Sequence, residues 1–297
     1  MSEIFVPLPS IDKIDLYLEQ DFDGFLIGLE SFSENFNYLV KIEELETIIK
    51  KFNDKKTFIS FNKLYFNDDI DKVKDAIKKI NNLNITGICF TDMGVLNILN
   101  DINYKGEIYW IGNHLGTNSK TINFLEKRNV SYALLSTEIN VEEIIKIKNN
   151  TNIKIGAILY GFLNMATSSR KLLTNYFEYI DNEKNKDKYI IRDKIKDKKY
   201  FLVEKDNTNF FTNDVLNGIK FFPELIKNKI DFIILDDYNL DSNNFYNVIE
   251  SFSSLRNAPK DEKFVDSLEK VVVSNTYYDT FYGFLDKKTV YKVKDYE

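Results

Sequence analysis

Cysteine and histidine are almost missing from this chain, which has one of each, Cys89 and His114, among 297 residues. A structural zinc site takes about four Cys, His or carboxylate ligands, and an iron–sulfur cluster usually about four thiolates. The chain's own Cys and His build neither. A lone cysteine also excludes an internal disulfide, and the chain reads as cytosolic. The HExxH zinc proteases fall on the same count, since their motif needs a pair of histidines. Neither of the glycine-rich nucleotide loops, GxxxxGK[ST] or GxGxxG, occurs. A serine–histidine–acid triad would have to use His114, and no GxSxG elbow supplies its serine. Proline is scarce as well: Pro7, Pro9, Pro223 and Pro259 leave the middle of the chain without a proline-rich linker, so one compact body is expected. No apolar run reaches the ~18 residues of a membrane span. The opening stretch from Met1 to Gln20 carries Glu3, Asp12, Lys13, Asp15 and Glu19 and lacks an apolar signal core, so no membrane partner is expected. Positive charge is in deficit, 40 basic against 46 acidic residues, so any contact with nucleic acid must be local.

What is present is a rhythm. Short apolar, β-branched runs fall at Ile4–Val6, Gly24–Gly28, Thr57–Phe61, Gly87–Thr91, Ile108–Ile111, Tyr132–Leu135, Ile153–Tyr160 and Phe232–Leu235. Amphipathic stretches separate them: Ile11–Gln20, Ile42–Phe52, Ile70–Asn81, Gly94–Leu99, Thr117–Arg128, Val141–Asn149, Phe222–Asn228 and Ser242–Leu255. Ile70, Val73, Ala76, Ile77 and Ile80 have the spacing of one buried helix face. Asn140 with Glu143 reads as a capping box. Eight strand-then-helix units point to a (β/α)8 TIM-like barrel, whose strands are buried on both faces and so nearly continuously apolar. A doubly wound open sheet produces the same alternation and stands as the rival. Residues 1–260 form the expected barrel, and 261–297 an extension packed on it.

The rhythm breaks between the seventh and eighth strands. The interval from about 174 to 217 is too long for an ordinary loop. Its apolar runs, Tyr189-Ile190-Ile191 and Tyr200-Phe201-Leu202-Val203, suggest a small antiparallel insertion. Segment 181–199 holds eight basic residues (Lys184, Lys186, Lys188, Arg192, Lys194, Lys196, Lys198, Lys199) against five acidic ones. It reads either as a solvated loop or as a phosphate-facing arm on an acidic protein.

In a barrel, chemistry gathers at the carboxyl ends of the strands. That rule picks out Glu30, Asn62 with Lys63, Asp92, His114, Glu138, the stretch from Asn164 to Lys171, and Asp236 with Asp237. Glu138 follows a buried strand, where it could accept a proton or stabilise the next helix start. Cys89, inside a strand, reads as a small buried apolar group. Asp236 and Asp237 are strand neighbours and should face opposite sides.

The segment from Ile153 to Phe177 is the richest in motif. It resembles the signature of the collagenase-like peptidase family, unclassified peptidase family thirty-two, in spacing and without a gap. Gly161 takes the glycine position, Arg170 lies between the last glycine and cysteine positions, and Leu172-Leu173-Thr174-Asn175-Tyr176 matches the tail. Asp23–Gly28 resembles the family's second strand, and Leu135–Ile139 its Leu-Ser-x-Glu-Leu element. Asn118 matches a helix-starting asparagine, and Gly283–Tyr291 the carboxyl end of short Gram-positive members. In members that hydroxylate a transfer-RNA wobble uridine, ribosomal RNA or a quinone precursor, two motif cysteines help hold an iron–sulfur cluster. Those positions are Asn164 and Lys171 here, the motif glutamate falls at Gly156, and the usual histidine is Tyr160. The resemblance therefore implies a branch without the cluster, with no cofactor, and with a longer family member as a partner.

Rim and motif together give the candidate site. Glu138, Arg170 and Lys171 are its charge-bearing, catalytic candidates; Asn62, Asp92, His114, Asn118, Asn164, Ser168, Asn175, Tyr176 and Asp237 are its substrate contacts; no metal ligands are named. Arg170 could grip a carboxylate or phosphate, or merely staple the insertion to the barrel. Three functions stay open: an accessory role in transfer-RNA wobble uridine hydroxylation, a collagenase-like peptidase (a hydrolase), and a non-catalytic binding barrel.

Overall fold

The computed structural model describes residues 1–297 except 53, 196, 241–243, 258–260 and 288–297. The expected helix start at Ser242, Pro259, Lys196 of the basic arm and the 288–291 end of the family resemblance lie outside the described residues.

Eight parallel strands run Glu3–Pro7 (β1), Gly24–Leu29 (β2), Lys56–Phe61 (β3), Gly87–Phe90 (β4), Glu107–Ile111 (β5), Tyr132–Leu134 (β6), Lys154–Gly161 (β7) and Phe232–Leu235 (β8). Each pairs with the next, and β8 pairs with both β7 and β1, so the sheet closes into a barrel. The closure decides between the two architectures: this is the TIM-like barrel and not the open sheet. A helix follows each strand, from Ile14–Leu18 to Phe245–Asn257. Val73, Ala76, Ile77 and Ile80 of helix Ile70–Ile80 are buried against the strands, as their spacing requires. Only half of the Asn140 capping box forms. Asn140 accepts the Glu143 N–H at 2.9 Å, while the Glu143 carboxylate turns to Lys146 at 2.7 Å. Among the described residues no helix is long and apolar enough to cross a membrane.

Strand side chains alternate between two cores. Ile233 and Leu235 face the helices, whereas Phe232 and Ile234 face the barrel axis with Phe5, Leu26, Phe58, Cys89, Tyr109, Tyr132 and Leu134. The lower interior is aromatic: Phe232 lies 5.2 Å from Tyr109, 5.5 Å from Phe5 and 5.6 Å from Tyr132, centroid to centroid. Each such burial contributes roughly 1.5–3 kcal/mol. Charge closes the floor, where the Tyr132 hydroxyl takes hydrogen bonds from Lys154 at 2.6 Å and Lys56 at 3.2 Å, and Lys56 pairs with Glu3 at 2.5 Å.

The insertion is a four-stranded antiparallel sheet, ordered 188–193, 198–204, 208–212, 164–168. Its last strand, Asn164–Ser168, comes from upstream of the interval that the broken rhythm marks. One face lies over the barrel mouth. There Phe201 stacks on Phe211 at 5.0 Å, Phe201 meets Phe162 at 4.6 Å, and Phe211 meets Tyr238 at 5.4 Å. Lys188 points into this aromatic layer, with its ammonium 4.1 Å from the Phe201 centroid and 5.5 Å from those of Phe162 and Tyr278. Burial pulls that ammonium below its ordinary pKa. The other face carries helix Leu172–Tyr179, with Phe177 5.0 Å from Tyr189. Beyond the barrel, helix Glu262–Ser274 packs along Phe245–Asn257, and strand Thr280–Phe281 pairs with Val215–Asn217.

Candidate functional site

The mouth of the barrel is stoppered by its own chain. The loop after β2 turns through Ser31 and Asn35, whose φ values of 70° and 63° lie in the left-handed region, and drops Phe36 into the interior cluster. Glycine at 28 makes room, since a Cβ there would stand 2.6 Å from the Phe36 ring. Ser33 locks the turn by accepting the Leu29 N–H at 2.8 Å and donating to the Ser60 carbonyl at 2.5 Å.

A polar network ties this plug to the roof. Asn62, at the end of β3, accepts the Glu34 N–H and donates to the Glu34 carbonyl, both at 3.0 Å. The Glu34 carboxylate then accepts Asn207 at 3.0 Å and Asn209 at 3.3 Å from the sheet above. The Asn209 side-chain Oδ1 accepts the Asn164 amide at 3.0 Å and the Thr167 hydroxyl at 2.5 Å. Lys63 pairs with Asp206 at 2.5 Å and holds that carboxyl below its usual range, with a smaller contribution from the Lys171 charge. A cavity of about 70 Å³ remains between plug and roof, lined by Glu34, Phe36, Lys63, Asn207, Asn209 and Tyr238 among others. Asn209→Ala should loosen the roof by about 2 kcal/mol, because it strips a partner from each of Asn164, Thr167 and Glu34, and Asn209 itself is only 4% exposed. A urea midpoint equal to wild type would refute this.

Two acids lie at the end of β8. Asp237 faces outward, as strand alternation demands. It is buried, its Oδ2 accepts the Tyr17 hydroxyl at 3.4 Å, and its carbonyl accepts Asn37 at 2.7 Å. Asp236 continues the inward register of Phe232 and Ile234 and accepts the Tyr238 N–H at 2.9 Å. Burial, then the neighbouring Asp237 charge, pushes Asp236 up to about 7. Burial raises Asp237 to about 6, against hydrogen bonds from Asn37 and Tyr17. A carboxyl that is partly protonated at neutral pH can give and take protons at the mouth.

The other candidates fall into two further groups. His114 and Glu138 meet on the rim, Nδ1 to Oε1 at 3.1 Å, with 45% and 53% of their side chains exposed. Beside them on the rim, Asp92 and Asn118 cap helices, accepting Gly94 N–H at 2.6 Å and Thr121 N–H at 2.9 Å. Ser168, Arg170, Lys171, Asn175 and Tyr176 gather on the outer side of the roof, around the start of helix Leu172–Tyr179. Ser168 accepts the Arg170 N–H at 3.2 Å, and the Arg170 guanidinium has no ion pair among the described residues. Lys171, Asn175 and Tyr176 are exposed. The motif tail has a structural task. Buried Glu204 accepts the Leu173 N–H at 2.6 Å, the Thr174 N–H at 3.1 Å, the Thr174 hydroxyl at 2.6 Å and the Thr208 hydroxyl at 3.0 Å.

Asn62 and Asn164 are thus brought together, but through Glu34, Asn207 and Asn209, which the sequence did not single out. Glu34 sits in a loop after a strand, where the strand-end rule reached only Glu30. Asn207 and Asn209 flank a hairpin turn more than a hundred residues away (sequence separations 173 and 175), and no local pattern reveals that pairing.

The donor set bears on the iron–sulfur cluster that other family members hold. At the cysteine positions stand an amide already engaged with Asn209 and Thr167, and an ammonium. Cys89 is fully buried in the barrel interior, and burial pushes its thiol up, away from the thiolate. These residues do not fit a thiolate-held cluster.

Fold and site define a TIM-like barrel whose carboxyl-end mouth is roofed by an antiparallel insertion. The chain belongs to Peptidase family U32, whose model matches residues 10–291. It is 26% identical to the "tRNA hydroxylation protein P2" of Bacillus subtilis over 252 residues, which is 80% of this chain and 81% of that one. It is 22% identical to the "tRNA hydroxylation protein P1" of the same organism, over 61% of this chain and 44% of that one. It is 23% identical to "Uncharacterized protease MJ0090" of Methanocaldococcus jannaschii, over 59% of this chain and 44% of that one. The match thus spans less than half the length of the last two relatives.

Proposed function

We propose that this chain is a cluster-free accessory subunit in transfer-RNA hydroxylation at the wobble uridine, working in the cytoplasm beside a longer family member. Two relatives carry tRNA hydroxylation in their names, and one of them aligns with most of this chain. The observation that carries the reading is the state of the two motif positions: the Asn164 amide is spent inside the roof, donating to Asn209 and Thr167, and Lys171 is a cation. The mouth keeps its shape while the thiolate chemistry has no donors. Binding and presenting the RNA is then the work left to this chain, with transfer RNA reached through the 181–199 arm.

Mass spectrometry of transfer RNA from a deletion strain tests it. The expected result is loss of wobble hydroxyuridine, with recovery on complementation and a longer relative in affinity pull-downs. Normal hydroxyuridine with no co-purifying relative rejects the proposal. The peptidase reading has one observation in its favour, the His114–Glu138 pair, in which a carboxylate orients an imidazole. Among the described residues no hydroxyl or thiol hydrogen-bonds that imidazole, so the pair lacks a nucleophile. Cleavage of gelatin by purified protein, abolished by His114→Ala, would favour it instead.

A further inference from the structure

The outer end of the insertion hairpin stands clear of the barrel, with Ile195 near its turn 95% exposed. Between this end and the carboxyl-terminal segment runs an open groove of about 600 Å³. The hairpin contributes Arg192, Lys198 and Lys199; the carboxyl-terminal segment contributes Phe281, Phe284 and Lys287. Lys198, Lys199 and Lys287 are exposed and have no ion pair among the described residues. The Phe284 ring is 47% exposed, and the Lys287 ammonium lies 5.2 Å from its centroid. Carboxylates border the groove too: Asp197 pairs with Arg192, Asp214 accepts Asn213 at 3.3 Å, and Asp279 completes the set.

We propose that this groove is the protein's RNA-contact surface, taking a short run of unpaired nucleotides with phosphates on Lys198, Lys199 and Lys287 and a base stacked on Phe284. On a chain of net charge −6, a groove lined by four basic residues against three acidic ones is a local reversal of sign, which a polyanion exploits. An exposed ring beside a cation offers the second half of single-strand recognition, since bases stack on aromatic faces without regard to sequence. A protein partner would be served by an apolar centre, and half of this groove's lining residues are charged. Transfer RNA as the occupant rests on the proposed function; the single-stranded RNA chemistry rests on the groove itself.

The test is fluorescence anisotropy of a labelled anticodon stem-loop, with uridine at the wobble position, titrated with the full chain over a salt series. Lys199→Gln and Lys287→Gln should each weaken binding roughly three- to tenfold and lower the slope of log affinity on log salt by about 1. Phe284→Ala should weaken it about tenfold with the slope unchanged. Asp197→Asn releases Arg192 and should tighten binding about threefold, a gain that mere damage to the fold does not produce. Lys72→Gln, on helix Ile70–Ile80, is the silent control. No RNA affinity in wild type, or a Lys198/Lys199/Lys287→Gln triple variant with wild-type affinity and slope, overturns the proposal. So does a groove that proves to capture a protein and no RNA. RNA binding through the groove alongside normal hydroxyuridine in the deletion strain overturns the functional reading alone. A triple variant that abolishes hydroxylation but binds RNA as before overturns the groove alone.

Discussion

Gly156→Glu should leave no folded, soluble barrel. A Cβ at Gly156 would meet ring carbons of Phe232 at 2.1, 2.3 and 2.4 Å. The two residues face each other across β7 and β8 in the closing pair of the sheet. The ring has nowhere to go, because Tyr109, Phe5 and Tyr132 surround it at 5.2–5.6 Å. Even Gly156→Ala overpacks the interior, at a cost of about 1–3 kcal/mol or somewhat more. Glutamate adds a carboxylate to an aromatic interior that has no room for it, several kcal/mol further. The sum reaches the whole stability of an ordinary domain, roughly 5–15 kcal/mol. Soluble yield and circular dichroism read the loss, and Gly156→Ala combined with Phe232→Leu should recover most of the Gly156→Ala deficit. A Gly156→Glu protein that melts like wild type would contradict the packing described. The position matters because the family motif, by its spacing, sets its glutamate here. In this chain the interior has been refilled by Phe232, so the motif carboxylate and this core cannot coexist.

Glu204→Ala should destabilise the roof by roughly 3 kcal/mol, the cost of stripping partners from buried donors and from one ion. Burial acts against the Glu204 charge, but hydrogen bonds from Thr174, Leu173 and Thr208 outweigh it and hold the carboxyl below its ordinary value. Lys184 adds an ion pair at 3.3 Å. The sign follows from the lowered folded pKa. The carboxylate contributes its full stabilisation above the unfolded value of 4.5, and loses it as pH falls through the folded value. Hydrogen exchange should show the Leu173 and Thr174 amides losing protection in Glu204→Ala at neutral pH. Wild type should approach the variant when acidified below that window. Unchanged exchange at those amides would show that Glu204 does not clamp the helix start.

The barrel was legible because its strands are buried on both faces and its helices on one, and both demands leave periodic apolar patterns. Phe232–Leu235 carries its strand limits in four apolar letters, and Ile70–Ile80 carries its buried stripe. The count of eight strand–helix units favoured the closed barrel over a doubly wound sheet, which shares the same periodicities, and the pairing of β8 with β1 decides for it. In the polar network of the mouth, Asn62 and Asn164 could be reached from strand ends and motif spacing. Glu34 and Asn209 could not, because their pairing depends on the insertion folding back over a loop near the amino terminus. Asp92 and Asn118 show the limit of the strand-end rule. A polar residue after a strand is also where the next helix needs its cap, and both do that work.

The stacked insertion also bears on the order in which the chain can assemble. β7 and β8 must find each other across the whole insertion, a long loop whose closure is entropically costly and slow. The intervening sheet is built largely from adjacent hairpins, 188–193 with 198–204 and 198–204 with 208–212, which are local contacts and form early. Once formed, it shortens the effective loop to the few residues on either side. Antiparallel pairing of Leu216 and Asn217 with Gly161 and Tyr160 then returns the chain beside β7, just before helix Phe222–Lys227 delivers β8. The element that roofs the mouth is therefore also a splint for closing the barrel, and a deletion that removes it should slow refolding more than it lowers the barrel's final stability.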